Sequence, residues 1–316
     1  MVSPHAAIEL HAKTLRYAAF KPQGEATELE RLGNFDFDFD TGEAFASDNG
    51  DGVQAVEAAA RAAFGDAAPQ TLDVIVHPPL AHTFFVPMPV SARSDARSRH
   101  LRQEAMLLLG ASAEEGPIHV EELHAYADEV QTRDVSVNWI HALAVREQVR
   151  NRVAIIGEVL GVTPRLRVGG YGVSFLLDHY RAAQRAGEAG FLAVGWYPSH
   201  MELVYSAAKG AYFSHHIDAV EKADTGYMAL AHLKKFNISE RQLRQVFLYG
   251  MVTDNGVHES LKSAFGRAPV RLDALALLDV DAGDAVPSFN RQVYAPALGV
   301  AARSRSGQQG GDGRAL

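Results

Sequence analysis

AAIELHAKTLRYAAF (residues 6–20) and FLAVGWYPSHMELVYS (residues 191–206) are two readings of one local plan. In the first, apolar strands Ala6–Leu10 and Leu15–Phe20 flank a turn at His11-Ala12-Lys13-Thr14. In the second, strands Phe191–Trp196 and Met201–Ser206 flank Tyr197-Pro198-Ser199. Each pair leads into a third strand. One follows a Pro22–Gly24 turn and ends in Phe35-Asp36-Phe37-Asp38-Phe39-Asp40, whose period of two puts phenylalanines on one face and aspartates on the other. The other is Ala211–Ile217, after Lys209-Gly210. A helix and a further strand follow each meander: Val53–Phe64 and Thr71–Val76 in the first copy, Thr225–Phe236 and Val246–Tyr249 in the second. The order of elements repeats without sequence identity, which predicts two lobes of related α/β topology.

Other elements fill this frame. Thr41–Gly52 reads as a loop from its Asp48-Asn49-Gly50-Asp51-Gly52 run. Strand Thr83–Val86 precedes a helix Asp95–Leu109 with Ser94 as its cap. Val120–Tyr126 and Val135–Ala144 are strands, Glu147–Leu160 a helix stopped by Gly161, Pro164–Val168 a strand and Tyr171–Ala186 a helix. Glu240–Arg244, Val257–Phe265 and Val293–Ala302 read as helices, and Val270–Leu272 as a strand. The expected division is a first lobe over 4–186 with an inserted subdomain at about 82–145, a second lobe over 187–303, and a disordered tail over 304–316.

Composition narrows the function. The 316 residues carry 30 Lys+Arg against 38 Asp+Glu, a net charge of −8 that works against an overall positive field for nucleic acid. With no cysteine there are no disulfides, thiolate metal sites or thiol nucleophiles. No apolar run approaches the roughly 20 residues of a membrane span, and Met-Val-Ser-Pro-His lacks the features of a signal peptide, so a cytoplasmic protein is expected.

The element order, with four short strings, resembles the actin-like ATPase superfamily and, within it, the bacterial PilM-type pilus-assembly proteins and a family of uncharacterised proteins with a degenerate actin-like (ribonuclease H-like) fold. Ala7-Ile8-Glu9-Leu10-His11 stands where that superfamily places a strand ending in Asp and Gly before a phosphate turn. Ala193-Val194-Gly195-Trp196-Tyr197 takes the place of the second phosphate loop, and Phe247-Leu248-Tyr249-Gly250-Met251 that of the paired glycines beneath the adenosine. Tyr294–Ala301 resembles the small-residue terminal helix. The resemblance implies a two-lobed α/β fold of duplicated β-β-β-α-β-α domains with a nucleotide cleft between the lobes.

Departures from the pattern imply that the cleft is degenerate. Glu9 lengthens the first carboxylate, Gly195 supplies none at the second position, and His11, Lys13 and Tyr197 crowd turns that need glycine for backbone approach to phosphates. Gly250 remains beneath the adenosine but Met251 replaces its partner. Glu9, His11, Lys13, Gly195, Gly250 and Met251 are therefore expected to line a vestigial nucleotide cleft, with His200 and Asp254 nearby and Trp196 and Tyr197 plugging it. No catalytic residue, metal or cofactor is assigned. The resulting expectation is a non-catalytic scaffold that binds another protein.

Two alternatives stay open. One is a weak ATP-binding switch or PilM-type ATPase using Mg²⁺ and ATP. The other is RNA association through Arg93, Arg97, Arg99 and Arg102, although a solvated helix face explains those arginines as well. Asp36, Asp38 and Asp40 fail the calcium-loop spacing, with Thr41 where glycine and Ser47 where glutamate belong. His215 and His216, adjacent on a strand, point to opposite faces. His77 and His82 flank Pro78-Pro79 and could converge, with nothing else to support a metal there.

Overall fold

The computed structural model describes residues 4–23, 26–47, 50–65, 68–110, 117–127, 137–207, 212–218, 220–251, 255–280 and 288–306. The first lobe is built on a five-stranded sheet. Strands β1 (His5–His11), β2 (Thr14–Gln23) and β3 (Ala26–Asp36) form an antiparallel meander, and β4 (Thr71–Val76) and β8 (Pro164–Arg167) join in parallel, giving the order β3-β2-β1-β4-β8. The second lobe repeats it: β9 (Gly190–Trp196), β10 (His200–Ser206), β11 (Tyr212–Asp218), β12 (Leu243–Gly250) and β13 (Val270–Arg271) lie in the order β11-β10-β9-β12-β13. The duplicated topology expected from the sequence is present. A third sheet, β5-β7-β6, is made of β5 (Ala81–Pro89), β6 (Ile118–Ala127) and β7 (Val137–Arg146). Pro87 and Pro89 are tolerated because β5 is an edge strand.

Strand alternation decides what each sheet face holds. On β1, Ile8 and Leu10 face an outer core shared with helices α2 (Gly50–Phe64) and α4 (Glu147–Leu160). Ala7 faces a central core instead. On β9, Leu192, Val194 and Trp196 point outward and Phe191 and Ala193 point to the centre. The central core also takes Ile75 of β4, Val204 of β10, Phe247 and Tyr249 of β12, and the helices α5 (Gly169–Ala183) and α9 (Ala295–Ser306).

Helices α5 and α9 cross at two glycines. A Cβ on Gly172 would stand 2.4 Å from the Pro296 carbonyl oxygen and 2.6 Å from the Val300 nitrogen, and one on Gly299 would stand 2.3 Å from the Gly172 oxygen. Those obstacles are backbone atoms, which cannot rotate away. Gly172→Ala is expected to lower stability by about 1–3 kcal/mol through overpacking, read as a lower urea midpoint at unchanged slope.

Several local expectations are corrected. Thr41–Gly52 is not a loop: α1 runs Thr41–Ala46 and α2 starts at Gly50, with Asp48 and Asn49 outside the described residues. The Phe/Asp alternation outlasts the strand, which ends at Asp36. Phe37 and Phe39 stack at 4.9 Å on the outer core, and Asp40 caps α1 by accepting from the Glu43 backbone N–H at 3.0 Å. Arg93, not Ser94, occupies the N-cap of α3 (Ser94–Leu108), with no side-chain cap bond. Glu240–Gln242 is a single 3₁₀ turn between α6 (Thr225–Lys235) and α7 (Gly256–Phe265), and α8 (Ala274–Leu277) is an additional short helix. Residues 288–294 form a 3₁₀ segment before α9, which continues to Ser306, so residues 304–306, expected in the tail, are helical; 307–316 lie outside the described residues.

Candidate functional site

On the central face of the strands a group of buried polar side chains gathers at one end, the carboxyl ends of β1, β4, β9 and β12. In parallel α/β sheets this edge is where ligands bind. Extending the period-2 parity of Ala7 places Glu9 and His11 on the central face. The same parity places His77 after Ile75, Gly195 and Tyr197 after Ala193, His200 and Glu202 before Val204, and Tyr249 after Phe247. All are buried; Glu9 is 0% exposed, His77 2% and Glu202 4%.

These side chains form one network across the two lobes. His77 Nε2–H donates to Glu9 Oε1 at 3.0 Å. Its Nδ1 stands 3.2 Å from Glu202 Oε1 and 3.3 Å from His200 Nε2. Tyr249 O–H donates to Glu202 Oε2 at 2.7 Å, and His200 Nδ1 lies 3.0 Å from Ser199 Oγ. Arg16 Nη1 is 3.7 Å from Glu9 Oε1. The Tyr197 ring stacks on His200 at 4.6 Å and abuts His11 at 4.7 Å and His77 at 4.8 Å. The start of α5 presses against Glu202, where a Cβ on Gly169 would stand 2.8 Å from Oε2.

Burial and charge sort the protons. Burial alone pulls the His77 pKa down, but hydrogen bonds to Glu202 and Glu9, and their charges, hold it up at about 9. Burial raises the Glu202 carboxyl, and the bonds to His200 and His77 with their charges outweigh it, leaving the group well below the usual carboxylate range. His11 is pushed down to about 2 by burial and then by the charges of His77 and His200. Burial likewise lowers His200. The site is thus an imidazolium held between two carboxylates, with Arg16 as the second cation.

The expected cleft residues are only partly gathered here. Glu9 and His11 belong to the network, as does His200. Lys13 does not: it is exposed and its Nζ donates to the Asp38 carbonyl at 3.2 Å. Gly195 is covered by the Tyr249 ring, 2.4 Å from where a Cβ would be. Gly250 keeps a left-handed φ of 82°, and a Cβ there would meet the Trp196 carbonyl oxygen at 2.7 Å. Met251 is partly buried against the central core and its N–H donates to that same oxygen at 2.9 Å. Tyr197 does fill the cleft, but Trp196 has the opposite parity and packs in the outer core of the second lobe beneath Lys222. Asp254 lies outside the described residues. His77 and His82 do not converge, since His82 Nδ1 instead meets His216 Nε2 at 3.2 Å.

Five participants carry no assignment in the sequence reading of the cleft: Arg16, His77, Ser199, Glu202 and Tyr249. Glu202 was legible in principle, as a lone carboxylate inside the apolar run Met201–Ser206 and directly opposite Gly195 in the β-ladder. A pocket of about 220 Å³, lined by His11, Asp40, His77, Pro79, Pro198 and Ser199 among others, reaches the network from outside. The Mg²⁺ and nucleotide of actin-like ATPases do not fit this donor set. Gly195, which the resemblance puts at the second phosphate position, lies under the Tyr249 ring; Glu9, which it puts at the first carboxylate, is engaged by His77 and Arg16; and imidazoles stand beside it where Mg²⁺ would require oxygen donors.

The arginine helix is largely paired. Arg97 forms a two-pronged bond to Glu122, and Arg93 and Arg99 each approach Asp95, at 3.5 and 3.6 Å. Among the described residues no helix is long and apolar enough to cross a membrane.

No protein-family model and no curated protein sequence matches the chain. Solved structures do. A chain from the PilM–PilN type IV pilus biogenesis complex superposes with a TM-score of 0.63 at 15% identity, covering 94% of this chain and 97% of that one. A Bacteroides thetaiotaomicron protein of unknown function with an actin-like ATPase fold superposes with a TM-score of 0.51 at 10% identity, covering 87% and 95%. With the duplicated sheets and the interposed α5 and α9, these likenesses show that the chain has the actin-like ATPase fold.

Proposed function

We propose that the protein is a non-catalytic actin-like scaffold that binds another protein and has given up the nucleotide. One observation carries this reading: His77, Tyr197 and Tyr249 occupy the interlobe space, and Glu9 and Glu202 already have internal partners. A triphosphate would bring about four negative charges against two buried carboxylates whose cations are committed. The superposed pilus-complex chain comes from an assembly of two proteins, which supports a partner-binding role for this fold.

The reading is tested by heating the protein with Mg·ATP. Anything that binds the folded form raises its melting temperature by mass action. No shift up to millimolar Mg·ATP and no phosphate release are expected. A saturable rise, or phosphate release abolished by Glu9→Gln, would overturn the proposal in favour of the ATP-switch alternative.

A further inference from the structure

Among the described residues histidines meet carboxylates or one another in two clusters, and these differ in whether a lone pair is available. At His82 and His216, the Thr83 backbone N–H donates to His216 Nδ1 at 3.2 Å. That bond puts the proton of the neutral ring on Nε2, the nitrogen facing His82, so the pair is satisfied by its own hydrogen bond. At the cleft the outer nitrogens are tied instead. His77 Nε2–H is spent on Glu9, His200 Nδ1 faces Ser199 Oγ, and the outer oxygen of Glu202 accepts from Tyr249. What remains is His77 Nδ1, His200 Nε2 and Glu202 Oε1, all turned toward one another.

Their separations are those of one face of a coordination tetrahedron. The three edges measure 3.3, 3.2 and 3.7 Å. Tetrahedral Zn²⁺ with bonds of about 2.0–2.1 Å sets its donors about 3.3–3.4 Å apart. Every donor also has the outer partner that such ligands need to fix tautomer and orientation, including a carboxylate on the far nitrogen of a histidine. We propose that His77, His200 and Glu202 form a binding site for a divalent transition-metal ion of the Zn²⁺ class, fastening the first lobe to the second.

Two nitrogens and one oxygen favour Zn²⁺ or Co²⁺ over Mg²⁺ or Ca²⁺, which seek oxygen. Binding replaces the proton on His77 Nδ1 with the ion and leaves the Nε2–H bond to Glu9 in place. Three protein donors leave a fourth position for water, and the pocket reaching His77 supplies a route from solvent. His11, 4% exposed with its Nδ1 lacking a partner, adds a further imidazole beside the cluster, 5.1 Å from the His77 ring centre.

The test uses the full chain, stripped with chelator and dialysed against Zn²⁺, with bound metal counted by elemental analysis. One ion per chain is expected, and the Co²⁺ form should show the intense visible absorption of a tetrahedral imidazole-ligated site. His200→Ala should weaken Zn²⁺ at least 100-fold, and Tyr249→Phe, which removes only an outer bond, roughly 10-fold. His216→Asn should change nothing. Absence of stoichiometric metal in the wild-type protein overturns the proposal, as does a Co²⁺ spectrum of octahedral type. Retention of the ion by a folded His200→Ala variant, or its loss only in His216→Asn, does the same. The wild-type spectrum decides the matter even if a variant fails to fold, and none of these outcomes bears on the Mg·ATP result.

Discussion

Glu9→Gln is expected to destabilise the metal-free protein by about 3–5 kcal/mol, the effect of removing one partner from a buried ion pair. The substitution preserves volume, so the loss isolates charge. Glu9 is fully buried and serves two cations at once, His77 at 3.0 Å and Arg16 at 3.7 Å. Without it Arg16, 5% exposed, keeps a charge it cannot shed, while His77 loses one of the groups holding its proton. Adding Arg16→Met should recover part of the loss, because the orphaned cation goes too. Urea unfolding of the four proteins of this cycle measures the coupling. A cost below about 1 kcal/mol for Glu9→Gln, within the range of exposed pairs, would show that water reaches the network.

The second large effect is a stability maximum near pH 6.5 in chelator-treated protein. His77 is raised from 6.5 to about 9 in the folded state. Its contribution is therefore complete below pH 6.5 and is lost as pH rises through 9. A shift of that size corresponds to about 3 kcal/mol. On the acid side the sign reverses. His11 is lowered to about 2, His216 to about 4, and His200 also lies below its ordinary value, each chiefly through burial. His11 and His216 are neutral when folded and take up a proton on unfolding. Stability should fall below pH 6.5 by about 1.4 kcal/mol per pH unit for each of these two, with His200 adding in the same direction. Denaturation midpoints from pH 5 to 9.5 would reveal both limbs. A flat alkaline limb would mean that His77 is neutral at pH 7, and Glu9→Gln should flatten that limb in any case.

The frame of the molecule was readable because strands sandwiched between two cores are continuous apolar runs. Phe191–Trp196 is such a run, and Ala6–Leu10 is one broken only by Glu9. Helix α1 was hidden because the Asp48-Asn49-Gly50-Asp51-Gly52 run reads as turn chemistry and six residues, Thr41–Ala46, are too few to show a helical period. The site was half legible. Glu9 and His11 were found through their place in a motif, whereas His77 looked like a turn residue before two prolines. Its role depends on Glu202, which is 125 positions away in sequence and 3.2 Å away in space. Parity along β9 separates Trp196 from Tyr197, and counting outward from Phe191 assigns them correctly to opposite faces. What no count supplies is the pairing of one lobe with the other, since Glu9, Arg16, His77, Tyr197, Glu202 and Tyr249 come from six different strands or their ends.

The third sheet reaches beyond its own lobe. Strand β5 meets β11 through His82 and His216, and Phe85 and Trp139 rest on Phe236 with ring centres 5.1 and 6.4 Å apart. A two-jawed clamp exchanges its contents by swinging about a hinge. Here that swing would have to tear a strut of aromatic and imidazole contacts that ties the jaws together on their outer side. The space between the jaws should therefore keep one fixed outline for as long as those contacts hold.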